Sequence, residues 1–200
     1  MKRLVLASSN AGKLRELEAL LAPRGIEVLP QAALGIADAE EPHGTFLENA
    51  LAKARHASRA AGLPALADDS GLCVEALDGA PGVHSAFYAG HAGSREERDT
   101  RNNAKLLANL SAERKAYYAC VMVLMRHAAD PLPLVAQGLW RGEIARAPRG
   151  VNGFGYDPLF MLPELGCTVA ELPPVQKNRL SHRAQALTKL LELLGDSPHA

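Results

Sequence analysis

Two adjacent carboxylates, Asp68 and Asp69, end the apolar run of residues 63–67 and are followed by Ser70 and Gly71. Like charges side by side are unfavourable unless a cation, a proton or solvent compensates them. Carboxylate oxygens suit Mg2+, which takes one or two protein carboxylates together with substrate phosphates. A second acidic pair, Glu40 and Glu41, lies in the polar loop 38–44. The loop Ser8, Ser9, Asn10, Ala11, Gly12, Lys13 runs from an apolar segment into a helical pattern. That geometry aims backbone N–H groups, a positive helix end and a lysine at one spot, which suits an anion. It is not a Walker A loop, because Ala7 stands in place of the first glycine and Leu14 in place of Ser or Thr.

Two further groups of residues carry chemistry. Gly153, Phe154, Gly155, Tyr156, Asp157 and Pro158 set two aromatics among glycines in a chain with only 4% aromatic residues. Glycines let backbone approach a flat ligand, an aromatic face can stack on a base, and Asp157 offers acceptors to ring N–H groups. Lys177, Ser181, His182 and Arg183 gather basic side chains near a helix start, where they oppose the helix dipole and suggest an anionic ligand. Each group also has a plainer reading. The first loop reads as a solvated turn, Asp-Ser-Gly as an ordinary turn, the two aromatics as core plugs, and the basic cluster as solvated surface.

The elements that must position these residues follow from hydrophobic period and caps. Residues 4–7 read as a strand, and Leu14, Leu17, Leu20 and Leu21 recur at helical spacing up to a stop at Gly25. Residues 26–29 form a second strand. Thr45 with Glu48, and Ser94 with Glu97, match the capping box and open helices running to Gly62 and to about Leu110. Residues 63–67 form a strand that ends at the acidic pair, and turn residues follow. Adjacent strand positions point to opposite faces, so one aspartate faces a given cleft and the other serves a different partner. Residues 117–125 are continuously apolar, as in a central strand buried on both faces, and residues 132–145 supply an antiparallel neighbour. Residues 158–162 make a short strand, and Ser181 caps a last helix with Leu187, Leu190, Leu191 and Leu194 on its apolar stripe. The expected fold is α/β with a mixed sheet, a single domain over 1–195 and a loose tail over 196–200.

Composition narrows the class. Lys plus Arg and Asp plus Glu each number 22, so there is no net charge to draw the chain to nucleic acid or an anionic membrane. The three cysteines, Cys73, Cys120 and Cys167, form no CxxC pair and read as reduced thiols. The first ten residues hold too short an apolar run for a signal-peptide core, and no stretch reaches the ~20 apolar residues of a membrane span. A cytoplasmic protein is expected.

SSNAGK at 8–13, TFLENALAKA at 45–54, ADDSG at 67–71, GFGYDP at 153–158 and SHR at 181–183 together resemble the inosine triphosphate pyrophosphatase family. Its bacterial members clear non-standard purine nucleotides as dITP/XTP pyrophosphatases. The resemblance implies an elongated mixed β-sheet flanked by helices, two lobes with an active-site cleft between them, and a homodimer. It implies Mg2+-dependent hydrolysis of dITP, ITP or XTP to the monophosphate and pyrophosphate. It places Ser8 to Lys13 on the substrate, with Lys13 on the phosphates. Asp69 becomes metal ligand and proton acceptor, Ser70 lies beside it, and Glu40 is the second metal ligand, with Glu41 its neighbour. Phe154, Gly155, Tyr156 and Asp157 hold the nucleoside end, and Lys177, His182 and Arg183 complete the contacts. Ser8-Ser9 stands where many members carry Thr-Gly. Rival readings are a Maf-type pyrophosphatase acting on dTTP or UTP, and a nucleotide sensor without hydrolysis.

Overall fold

The computed structural model describes residues 2–195; the tail expected to be loose, 196–200, lies outside the described residues. Seven strands are named in chain order: β1 (Arg3–Leu6), β2 (Glu27–Pro30), β3 (Ala65–Val74), β4 (Lys115–Met125), β5 (Leu134–Ile144), β6 (Phe160–Leu162) and β7 (Cys167–Thr168). They form one open sheet in the order β2-β1-β3-β4-β5-β6-β7. β1 is parallel to both β2 and β3, whereas β6 is antiparallel to both β5 and β7, so the sheet is mixed as expected. The helices are α1 (Ala11–Leu21), α2 (Phe46–Ala61), α3 (Arg95–Asn109), α4 (Pro174–Leu180) and α5 (His182–Gly195).

The helix ends follow the sequence signals. The Asn10 side chain accepts from Gly12 N and Lys13 N at the start of α1. Thr45 accepts from Glu48 N at the start of α2, and Ser94 and Glu97 form the reciprocal capping box of α3. One strand boundary differs from expectation. β3 does not end at the acidic pair but runs on through Ser70, Gly71 and Leu72 to Val74, so Asp68-Ser70 is extended backbone rather than the start of a turn. Leu72 and Val74 are fully buried, and this burial keeps the chain extended beyond the polar interruption. A second difference is that Lys177 belongs to a separate short helix, α4, which ends at Ser181 before α5 begins. The adjacent prolines Pro173 and Pro174 start that helix, with Pro174 at its first position.

The chain divides into two compact units. Within the described residues the first comprises 2–69, 120–138 and 183–195, and the second comprises 70–119 and 139–182. In the first unit, strand alternation separates two apolar layers. Leu4, Leu6 and Leu66 pack with Leu17 and Leu21 of α1 and Leu187 and Leu190 of α5. Val5, Ala65 and Ala67 pack with Ala50, Ala54 and Ala57 of α2. The second unit has its own core, in which Leu72, Leu106, Tyr118, Trp140 and Phe160 meet.

Candidate active site

The alternation of β3 decides what each aspartate meets in the first unit. Asp68 shares parity with Leu66 and therefore points to the α1 and α5 side. Its Oδ2 lies 3.0 Å from Lys13 Nζ and 3.4 Å from Arg183 Nη2. Arg183 is itself fully buried and also pairs with Glu16 of α1. Burial alone would raise the Asp68 pKa, but the Lys13 and Arg183 charges prevail and hold its carboxyl well below the usual carboxylate range.

Asp69 points to the α2 side. Its Oδ1 lies 3.1 Å from Lys53 Nζ, and its Oδ2 accepts from Asn49 Nδ2 at 3.2 Å. Here burial prevails: the Asp69 pKa is raised despite Lys53 and Lys13, with Glu41 adding to the rise. Lys53 responds in kind, its pKa lifted by Asp69, Asp68 and Glu41 against a burial that would lower it. Two neighbours in sequence are thus pushed in opposite directions: both feel Lys13 and Lys53, but Arg183 adds to them at Asp68 while Glu41 opposes them at Asp69.

The acidic loop reaches this cluster through Glu41, whose Oε2 lies 2.8 Å from Lys53 Nζ. Glu40 is exposed. His43 N donates to Asn49 Oδ1 and His43 O accepts from Asn49 Nδ2, so the same buried amide that touches Asp69 also holds the loop. Lys53 sits between the carboxylates of Asp69 and Glu41, which means both already converge on one cation. Two carboxylates converging in this way are oxygen donors of the kind a hard divalent ion takes. Among the described residues no group of three or more His, Cys, Asp or Glu side chains converges in this way.

The first loop holds itself together. Ser8 Oγ accepts from Asn10 N, and Ser9 Oγ donates to Asp38 Oδ2 at 2.7 Å. Asn10 Oδ1 occupies the N–H groups of Gly12 and Lys13. The unusual Ser9 is therefore turned toward the 31–38 segment, and Lys13 is the element of the loop that meets the aspartate pair.

In the second unit the loop 153–158 closes around its own carboxylate. Asp157 is buried; its Oδ2 accepts from Phe154 N at 2.9 Å and lies 2.8 Å from Lys177 Nζ, while its Oδ1 accepts from Tyr118 Oη at 3.2 Å. Gly153 adopts φ +78°, and a Cβ there would fall 2.0 Å from Asp157 Oδ2, so only glycine permits this closure. Both Asp157 oxygens are engaged within the protein, which makes this residue the anchor of the loop. Lys177 Nζ lies 4.4 Å and Arg95 Cζ 4.6 Å from the Phe154 ring centroid, holding the half-buried ring by cation–π contact. Tyr156 is buried and donates its hydroxyl proton to Ser85 O. His182 stacks on Tyr118, ring centroids 4.8 Å apart and planes within 12°. Burial, reinforced by the Asp157 charge, pushes the Tyr118 hydroxyl well above its ordinary pKa, so it stays a donor.

The structure thus gathers Lys13, Asp69 and Arg183 in the first unit, and Phe154, Asp157, Lys177 and His182 in the second. Ser70 follows Asp69 along β3. Sequence reading missed Lys53, Asn49, Glu16, Tyr118 and Asp99. Asn49 and Lys53 had a usable signal. They lie four residues apart on a capped helix, inside TFLENALAKA, and so share one face. Glu16 and Tyr118 had none, since an ordinary helical glutamate and a strand tyrosine become partners only by folding.

Known proteins resemble this chain over nearly its whole length. A model of the Ham1 family matches residues 4–193. A dITP/XTP pyrophosphatase of Bordetella pertussis is 62% identical over 196 residues, covering 97% of this chain and 92% of that protein. A dITP/XTP pyrophosphatase of Nitrosomonas europaea is 58% identical over 199 residues, covering 98% and 96%. The solved structure of a HAM1 protein from Coxiella burnetii superposes with a TM-score of 0.89 at 48% identity, covering 98% of this chain and 100% of that one.

Proposed function

The chain belongs to the Ham1 family, and from that premise we propose that it is an enzyme hydrolysing non-standard purine nucleoside triphosphates. The substrates are dITP, ITP and XTP, and the products are the nucleoside monophosphate and pyrophosphate. The observation that carries this reading is the buried Asp69, raised in pKa, held by Lys53 and Asn49 beside an Asp68 neutralised by Lys13 and Arg183. A carboxylate of raised pKa is a stronger base than an exposed aspartate and accepts a proton from an attacking water more readily.

In this mechanism water attacks the α-phosphorus and pyrophosphate leaves. Asp69 takes the water's proton at its carboxylate. Lys13 and Lys53 lie against the aspartates and offer charge to the phosphates as negative charge builds on the leaving group. Asp69 with Glu40, or with Glu41 as the neighbour that already reaches Lys53, would hold Mg2+, which supplies charge neutralisation and a more acidic bound water. In the second unit Phe154 offers a stacking face, while Asp157, Lys177 and Tyr118 fix the loop that carries it. Discrimination rests on the base edge, since buried polar groups left unpaired by the wrong base reject it. The chain acts as a single functional domain and, as the resemblance implies, as a homodimer. Among the described residues no helix is long and apolar enough to cross a membrane, which suits a cytoplasmic nucleotide enzyme.

The test is pyrophosphate release from ITP, dITP, XTP, GTP, ATP, dTTP and UTP, with and without Mg2+. Fast Mg2+-dependent release from the inosine and xanthosine nucleotides alone supports the proposal. Release chiefly from dTTP or UTP, or binding with no release, overturns it. Glu40→Gln and Glu41→Gln, titrated with Mg2+, identify the second ligand as the variant that needs more metal for half-maximal rate.

A further inference from the structure

One face of α3 is given over to the loop 153–158. Arg95, Asp99 and Asn103 lie four residues apart, so they stack on successive turns of the same face. Arg95 covers the Phe154 ring. Asp99 Oδ2 accepts from Gly155 N at 2.9 Å, and Asn103 Nδ2 donates to Gly155 O at 3.0 Å. Both polar backbone atoms of one glycine are therefore held by side chains of one helix.

Gly155 is the pivot of the loop. It adopts φ +64°, and a Cβ built on it would meet nothing within 4 Å. The two hydrogen bonds from α3 hold both polar backbone atoms of this residue, and its Cβ direction is open. Its orientation sets where Phe154 on one side and Tyr156 on the other point. The helix that supplies the grip is fixed at its start by the Ser94–Glu97 capping box and in its body by Asn102, which bonds to Ala89 N and Ser85 O.

We infer that Asp99 and Asn103 are positioning residues for base recognition, gripping Gly155 so that the Phe154 face stands ready for a purine; this rests on the function proposed above. Neither residue needs to touch the substrate. Their effect falls on affinity and on discrimination between purines, and not on the hydrolytic step carried by Asp69.

The experiment measures steady-state kinetics on ITP and GTP for the wild-type chain, Asp99→Ala, Asp99→Asn and Asn103→Ala, together with melting temperatures. Each alanine variant is expected to raise KM for ITP about 5- to 10-fold, the effect of one lost hydrogen bond, with kcat within about twofold and a lower preference for ITP over GTP. Asp99→Asn keeps an oxygen acceptor for Gly155 N and is expected to stay within about twofold of wild type in KM. Should Asp99→Ala not fold, Asn103→Ala carries the test, because alanine is the best helix former at that position. Lower melting temperatures with unchanged KM and unchanged preference would make α3 a scaffold only and overturn the inference. So would Asp99→Asn failing as badly as alanine. A wild-type chain that does not hydrolyse ITP at all would instead remove the function on which the inference rests.

Discussion

The two units hold their buried carboxylates by different means. In the first, Asp68, Asp69, Glu16 and Glu41 face Lys13, Lys53 and Arg183, drawn from α1, α2, β3, α5 and one loop. Asp69, of raised pKa, and the exposed Glu41 share Lys53, and the proposed function assigns a divalent cation and a proton to this place. In the second, Asp157 is matched by one ammonium and completed by a tyrosine hydroxyl and a backbone N–H, among aromatic rings. These contacts fix the conformation of the loop. Under the proposed function, charge chemistry falls to the first unit and shape recognition to the second.

The sharpest way to break this comparison is Asp69→Asn. Hydrolysis is expected to fall about 10²- to 10⁴-fold, the contribution of a positioned general base, while nucleotide binding measured by calorimetry survives. Full activity in this variant would remove Asp69 from the reaction.

Next in size is the contrast between the two neighbours in stability. Asp68→Asn leaves the buried Arg183 and the half-buried Lys13 without their shared counter-charge and is expected to cost about 3–5 kcal/mol, read as a melting temperature lower by roughly 10 °C. Asp69→Asn replaces a group already pushed toward its neutral form and is expected to keep or raise the melting temperature. Equal losses in the two variants would mean that the faces of β3 are not electrostatically distinct.

In the second unit, Lys177→Met removes the ammonium that lies 2.8 Å from Asp157 Oδ2. KM for ITP is expected to rise about 10- to 100-fold, as for loss of a charge-assisted hydrogen bond, with a smaller change in kcat. A fall in kcat with KM unchanged would transfer Lys177 to the chemical step.

The smallest effect is in pH dependence. Asp68, held below the ordinary carboxylate pKa, contributes stability that is present above about pH 4 and lost as pH falls through its folded value. Asp69, raised, does the reverse: the folded state binds its proton more readily, so its contribution grows as pH falls through its folded value. Asp68→Asn should therefore flatten the loss of stability on acidification, and Asp69→Asn should steepen it. Denaturant melts between pH 3 and 7 read both slopes.

Much of the architecture was legible because its causes are local. The apolar run at 117–125, the capping pairs Thr45–Glu48 and Ser94–Glu97, and the stop at Gly62 depend on a few consecutive residues, and the structure follows them, whereas α1 ends at Leu21 and Gly25 closes a 3-10 turn after it. β3 escaped because local turn preference in Asp-Ser-Gly lost to the burial of Leu72 and Val74 beyond it. The sequence places Lys177 near the last helix start, and the structure sets it in a separate helix that Pro173-Pro174 begin. The loop 153–158 was visible as a loop, but the use of Asp157 was not. Tyr118 and Lys177, which occupy its oxygens, are 39 and 20 residues away in the chain.

What the sequence determined by itself is that Asp68 and Asp69 look in opposite directions, since side chains of an extended chain alternate whatever surrounds them. It also determined the residue types at each motif and the caps that begin the helices facing them. Only the tertiary structure decided that one aspartate is neutralised by Lys13 and Arg183 while the other is left raised beside Lys53, Asn49 and Glu41. Period and capping are set within a turn or a strand, whereas burial and the pairing of charges depend on which distant segments share a face.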